Sequence, residues 1–417
     1  MALWTPTGLG SSRAAYYETY ADSIKHGHLW LEDLSDKPAC SWDMSEHDGK
    51  CYAYWGILPA LVHVVLPLVH DRLLTLLALT GTVYFFSRLM LRLSPVPPQR
   101  AAATVATLLC LVGAGLLPAT AAGARIYEEA ISVGLVFGLA GLYFATVGFK
   151  EMQLPNGNLP ARLWLALLLL ALGGMARTTW LASAALALAF WFLIHLQRFG
   201  RPTFMRVIGA SAPLAVAVTI CLALNYVRFG DPLDFGWAKQ SANQAMLAAG
   251  VSPSSIKHVP PNIAMYLVGA IPPPQNPLTA TEWPPISESF AVTRWLAKGR
   301  PYYENPLAAL LGAPLLFWGL WRLSRPNPER RFAWMITLFS IPSWLGVLSL
   351  AGTVSRYEFE ALLPLLFLAG PEALGIAADV TAGRRLVLWI LVVLGLAASC
   401  LEAVWIVRTL CEWWHFC

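Results

Sequence analysis

Charge is what this sequence has least of. Only 13% of its 417 residues are Asp, Glu, Lys or Arg, about half of the ~25% usual in a soluble globular domain. Together with 57% hydrophobic residues and a mean hydropathy of +0.56, that shortage excludes a water-soluble domain and implies an integral membrane protein. Cysteine is sparse as well: seven residues, too few and too scattered for a disulfide scaffold. Cys110, Cys221 and Cys400 fall inside apolar runs and read as packing residues. Cys40 with Cys51, and Cys411 with Cys417, are each placed to pair if both ends face an oxidising compartment. Also missing are a phosphate-cradling glycine loop, a zinc-protease motif and a nucleophile elbow. No internal repeat is evident, which weighs against an inverted-repeat transporter. The first residues lack a basic start followed by an apolar core, so no cleavable signal peptide is expected.

What is present is a polar head set against a series of apolar runs. Residues 1–55 hold Glu18, Asp22, Glu32, Asp33, Asp36, Asp43, Glu46 and Asp48, eight of the chain's 24 acids. Apolar segments long enough for a helix to cross the ~30 Å hydrocarbon fall at about 71–91, 101–121, 130–149, 160–176, 178–197, 207–226, 304–322, 332–351, 358–377 and 386–409. The stretch from Pro160 to Leu196 is too long for one span and breaks at Gly173 to Thr179, which predicts a helical hairpin. Residues 56–70 are too short to span; two prolines and two histidines there predict an interfacial or re-entrant helix. The 18 Trp and 13 Tyr suit interfacial belts.

Charge orients these spans. Arg88, Arg92, Arg100, Lys150, Arg162, Arg198, Arg201, Arg206, Arg322, Arg325, Arg330, Arg331, Arg384 and Arg385 cluster in alternate short connections, which the positive-inside rule assigns to the cytoplasm. The net charge of +5 therefore reads as orientation in a lipid bilayer, not as a nucleic-acid surface. The head, the turns at 125–129, 177 and 356–360, and the long loop near 227–303 then face outward. Ten spans place both termini outside, which predicts a further span ahead of Met1. The chain is expected to be an all-α polytopic membrane protein divided into a head (1–55), an amino-terminal membrane module (56–226), the outer loop (227–303) and a carboxy-terminal module (304–417).

Nearly every unusual ionisable residue belongs to the outward set: Arg125, Tyr127, Glu128 and Glu129 before one span, Arg177 in the hairpin turn, Arg228 at the start of the long loop, and Arg356, Tyr357, Glu358 and Glu360 before a late span. Ionisable groups beside hydrocarbon are costly and are paired or functional. Guanidinium forks suit phosphate, and a carboxylate suits proton abstraction. The bland alternative is that Arg125 and Arg356 pair with neighbouring glutamates and only hold helix ends. His26, His28 and His47 lie near acids, but their spacing matches no metal-ligand motif.

Short patterns along the chain carry a resemblance. Tyr-Ala-Asp-Ser-Ile-Lys-His-Gly-His-Leu from Tyr20 and the stretch Asp48-Gly49-Lys50-Cys51-Tyr52-Ala53-Tyr54-Trp55-Gly56 lie in the head. Ile126-Tyr127-Glu128-Glu129-Ala130, Asn225-Tyr226-Val227-Arg228-Phe229-Gly230 and Arg356-Tyr357-Glu358-Phe359 follow in order, the set covering about 80% of the chain. On these residues the chain resembles membrane glycosyltransferases of the GT-C fold, the class of protein O-mannosyltransferases and lipid A aminoarabinose transferases. The resemblance implies an inverting enzyme of a bacterial inner membrane, working on the periplasmic or extracellular face. It implies a polyprenyl-phosphate sugar donor, a lipid, glycan or protein acceptor, no required cofactor, and a divalent metal left open. By the same resemblance a first-loop carboxylate, Asp22 or Glu18, is the base and Glu128 or Glu129 a second acid. Arg177, Arg228, Arg356, Tyr357, Tyr54 and Tyr127 line the substrate. Where the family carries an acid ahead of the Ala-Asp pair, this chain has Ser12-Arg13-Ala14. A noncatalytic or truncated relative and a lipid-linked sugar transporter are the alternatives.

Overall fold

The computed structural model describes residues 16–32, 40, 44–53, 56–94, 126–152, 159–248, 252–260, 262–263, 330–350, 358–378, 386 and 390. The expected spans at 101–121 and 304–322, nearly all of 386–409, and the Cys411 and Cys417 tail lie outside them. The elements are α1 (Tyr16–Lys25), β1 (Ser45–His47), β2 (Lys50–Tyr52), α2 (Leu58–Val65), α3 (Asp71–Leu93), α4 (Ile126–Glu151), α5 (Ala161–Ala176), α6 (Thr179–Phe199), α7 (Phe204–Phe229), α8 (Ser241–Ala248), α9 (Arg330–Leu348) and α10 (Glu358–Ala378). Among the described residues five helices are long and apolar enough to cross a membrane, α3, α4, α6, α7 and α9, with α5 apolar but shorter. The protein is membrane-embedded and mostly helical. The expected break between two helices at 173–179 falls at Arg177-Thr178.

Two compact units divide the described residues, one drawn from 1–89 and 123–245, the other from 90–122 and 246–415. The described residues of the head share the first unit with α2, α4, α5, α6, α7 and most of α3.

Glycine spacing builds the core of the first unit. Along α4, Gly134, Gly138, Gly141 and Gly148 fall on one stripe. A Cβ at Gly148 would come 2.6 Å from the Leu163 backbone of α5, one at Gly141 would meet the Leu170 side chain at 2.7 Å, and one at Gly138 would strike the Trp180 ring of α6 at 2.6 Å. In a membrane, where lipid removes much of the hydrophobic drive, such small-residue stripes let backbones approach and gain dispersion contacts. The same contacts give the direction of each helix. Gly138 of α4 lies level with Gly173 of α5 and Trp180 of α6, while Gly148 lies level with Leu163, and Phe149 packs edge-on to Phe190. Each helix therefore runs antiparallel to the one before it. Trp164 of α5 donates to the Gly209 carbonyl of α7 at 3.0 Å, extending the alternation. One end of the unit gathers Glu129, Arg177 and Arg228. The other gathers Lys150, Arg162 and Arg198, with Arg162 paired to Glu151 at 2.5 Å.

The head is folded against the first of these ends. Tyr17 and Tyr20 of α1 are fully buried, and the Tyr17 hydroxyl donates to the Gly56 carbonyl at 3.2 Å. Gly56 presses on the end of α5 so closely that a Cβ would lie 1.9 Å from the Met175 carbonyl oxygen. β1 and β2 form an antiparallel hairpin, the described exception to an all-helical chain. Asp48 and Gly49 turn it with φ of 50° and 70°, the left-handed pair that a two-residue hairpin turn demands. Cys40 and Cys51, one of the two pairs expected from the sequence, form a disulfide. The start of the long loop is tied in by Ser45, whose hydroxyl donates to the Gly236 carbonyl at 2.6 Å.

In the second unit, residues 252–263 dock on the end of α9. Asn262 donates to the Leu348 and Leu350 carbonyls at 2.9 and 2.8 Å, and the His258 ring meets the Ser349 carbonyl at 3.0 Å. These contacts satisfy carbonyls that a helix terminus leaves open.

Candidate functional site

Among the described residues, the strongest concentration of buried ionisable groups lies where α1, α2, α3 and α4 meet. His63, near the end of α2, is 3% exposed and Glu129, in the first turn of α4, is 1% exposed. Their Nε2 and Oε1 atoms stand 2.7 Å apart, and His63 Nδ1 stands 2.7 Å from the Val69 carbonyl oxygen. A carbonyl can only accept, so Nδ1 carries a proton. The short Nε2–Oε1 contact then needs one more, carried by the imidazole or by the carboxyl group. The pair shares a single proton and has no net charge, which is how two ionisable side chains tolerate such burial. Burial pushes the His63 imidazole down, but the hydrogen bond and charge of Glu129, the Val69 carbonyl and the Glu18 charge outweigh it and hold the ring above its ordinary value.

Glu18 borders this pair. From the first turn of α1 its Oε1 accepts the Asp71 backbone N–H at 2.7 Å, while Oε2 lies 3.3 Å from His70 Nδ1. The carboxylate thus receives an N–H at the first turn of α3, where the helix dipole favours negative charge. Its side chain is 20% exposed against 2% for Glu129, so it is the more accessible of the two carboxylates. Asp71 is fully buried, and its own carboxylate caps the following Arg72 N–H at 2.8 Å.

Two of the four expected carboxylates, Glu18 and Glu129, belong to this cluster. Asp22 does not: it is exposed and pairs with Lys25 at 2.9 Å. Tyr127 and Glu128 are in the first turn of α4, but their side chains lie outside the described residues, as do Tyr54, Arg356 and Tyr357. Arg177 stands at the carboxy-terminal cap of α5 and lays its methylenes over Gly134, where a Cβ would sit 3.2 Å from its Cγ. That crossing brings the arginine to the helix that carries Glu129. Arg228 closes α7, 5% exposed, donating to the Ala53 carbonyl at 3.2 Å and to the Tyr20 hydroxyl. Its guanidinium ties α7 to the head. Its Nε is buried without a hydrogen-bond partner among the described residues.

His63, His70 and Asp71 were not among the expected site residues. Their signal was present: two histidines flanking a short apolar segment, and an aspartate opening an apolar run. Among the described residues no group of three His, Cys, Asp or Glu is arranged to hold a metal ion. The chain matches no protein-family model, no curated protein and no solved structure.

Proposed function

We propose that the protein is a membrane glycosyltransferase of GT-C type, moving a sugar from a polyprenyl-phosphate donor to a hydroxyl acceptor on the head side of a bacterial inner membrane. The acceptor oxygen would attack the anomeric carbon with inversion as the bond from that carbon to the phosphate oxygen breaks. The lipid phosphate leaves with the electron pair, and the acceptor proton passes to a carboxylate. Glu18 is the first candidate for that base, because it is the accessible acid of the cluster and its second oxygen is already anchored. Arg177 is the described arginine best placed for the departing phosphate, since Arg228 is committed to Tyr20 and Ala53. Glu129 and His63 form the buried wall beneath.

One observation carries the reading: Glu18, Glu129 and Arg177, distant in sequence, stand at the same end of the first unit as the acid-rich head. The test is transfer from a panel of polyprenyl-phosphate sugars by the full chain reconstituted in vesicles. Glu18→Gln is expected to lower the rate by at least about a hundredfold, and Arg177→Ala to slow it as well, while Asp22→Asn stays near the parent rate. Full activity in Glu18→Gln refutes the assignment of the base. No transfer by the parent chain from any donor, with donor binding intact, refutes the enzyme reading.

A further inference from the structure

The turn that joins α2 to α3 exposes four consecutive apolar residues. Val65 is 74% exposed, Leu66 50% and Leu68 86%, with Pro67 exposed between them. The opposite side of α2 is sealed into the unit through Leu58, Ala60 and His63. The turn has little freedom to fold its side chains back. The Leu66 N–H donates to the Val62 carbonyl at 2.7 Å, the Val69 N–H to the Leu66 carbonyl at 2.9 Å, and the His63 ring holds the Val69 carbonyl from behind. A run of exposed apolar residues on a braced turn marks an interaction surface.

What covers it follows from what it continues into. α3 begins at Asp71, three residues after Leu68, and turns Leu76 and Leu77 outward as bilayer-facing side chains. At 1.5 Å per residue its 23 residues measure about 34 Å, slightly more than the ~30 Å of hydrocarbon. Asp71 therefore stands at the edge of the bilayer core, and Leu68 is within ~10 Å of it along the chain. At that depth the tip is continuous with the lipid-facing side of α3. Acyl chains can take up its apolar side chains without any polar group having to follow, because Val69 turns the chain back toward His70 and Asp71 at headgroup level.

We propose that Val65–Leu68 inserts as a wedge into the leaflet on the head side and sets the depth of the neighbouring carboxylate cluster. The mechanical link is His63, which holds the turn through Nδ1 and Glu129 through Nε2. A cluster pinned in this way meets chemical groups carried at headgroup level. The wedge does not depend on the transferase reading, and its test needs no substrate.

Leu68→Cys and, separately, Leu66→Cys are made in the full chain with Cys110, Cys221, Cys400, Cys411 and Cys417 replaced by Ser, leaving the Cys40–Cys51 disulfide. Each is nitroxide-labelled, reconstituted in phosphatidylcholine–phosphatidylglycerol vesicles, and assayed for collision with oxygen and with a neutral water-soluble nickel chelate. Leu77→Cys serves as the bilayer reference and His26→Cys as the aqueous one. The expected result is oxygen collision several-fold above nickel collision at 66 and 68, the order seen at 77 and opposite to that at 26. Nickel accessibility matching position 26 overturns the proposal, leaving a tip that waits in water for a soluble partner. Labels shielded from both reagents also overturn it, because then protein covers the tip.

Discussion

Removing His63 should cost far more than neutralising the acid it holds. In His63→Ala the Glu129 carboxylate, 1% exposed in the parent, loses the imidazole 2.7 Å away. Breaking one side of a buried pair costs ~3–5 kcal/mol, less to the extent that the carboxyl takes up a proton. In Glu129→Gln the outcome differs, because His63 Nδ1–H remains on the Val69 carbonyl and the bare Nε2 accepts from the new amide. One neutral hydrogen bond replaces a shared proton, at a cost of about 1 kcal/mol. Adding Glu129→Gln to His63→Ala removes the stranded charge and should recover about 2 kcal/mol. Thermal unfolding of the parent, both single variants and the double variant in one detergent checks the order. Stability should fall from parent to Glu129→Gln to the double variant to His63→Ala. If His63→Ala is as stable as Glu129→Gln, or if the double variant falls below His63→Ala, the shared-proton account is wrong.

The same pair predicts a pH dependence. The His63 ring is held above its ordinary 6.5, so its contribution is complete below that value and is lost as pH rises through the raised folded value; pH-resolved unfolding should show the loss in the parent and not in the His63→Ala/Glu129→Gln double variant, which has neither group. Asp234 runs the other way. Burial alone would raise its carboxyl, but the hydrogen bonds from Lys239 and the Gly236 N–H, with the Lys239 charge, hold it low, so its contribution is present above ~3.9 and fades as pH falls through the depressed value. Asp234→Asn should remove that acid limb at a cost of about 0.5–1 kcal/mol near neutrality. Gly56→Ala would set a methyl 1.9 Å from the Met175 carbonyl oxygen, backbone against backbone, and should lower the yield of monodisperse protein sharply, while Gly209→Ala, with open space around it, should not. Cys40 and Cys51 should resist maleimide labelling until reduction. Cys40→Ser, opening a loop of sequence separation 11, should destabilise the head by about 2–3 kcal/mol.

Membrane embedding, the positions of the five described helices long enough to span and the break at Arg177 were legible in the chain, because hydropathy and run length are local properties. The split at 173–179 came within a few residues of the observed helix ends at Ala176 and Thr179. Alternating charge also foretold that Glu129 and Arg177 share an end, since antiparallel helices must return each second connection to the same side. The Asp48-Gly49 hairpin was not read from the chain, although an Asp-Gly pair is the ordinary signal for such a turn.

Partnership was not legible. Nothing in a one-dimensional pattern says that Glu129 meets His63, 66 residues away, or that Arg228 reaches Tyr20 across 208. Asp22 and Glu18 lie one helical turn apart on α1, yet one is solvated beside Lys25 and the other receives the first N–H of α3. By itself the sequence determined that the chain enters a bilayer, where the five described candidate spans lie, and which connections carry acid and which carry base. Only the tertiary structure decided which of those acids is buried, paired or accessible. That outcome depends on the rotation of each helix and on how closely glycine lets its neighbours approach, and both are settled by packing between distant segments.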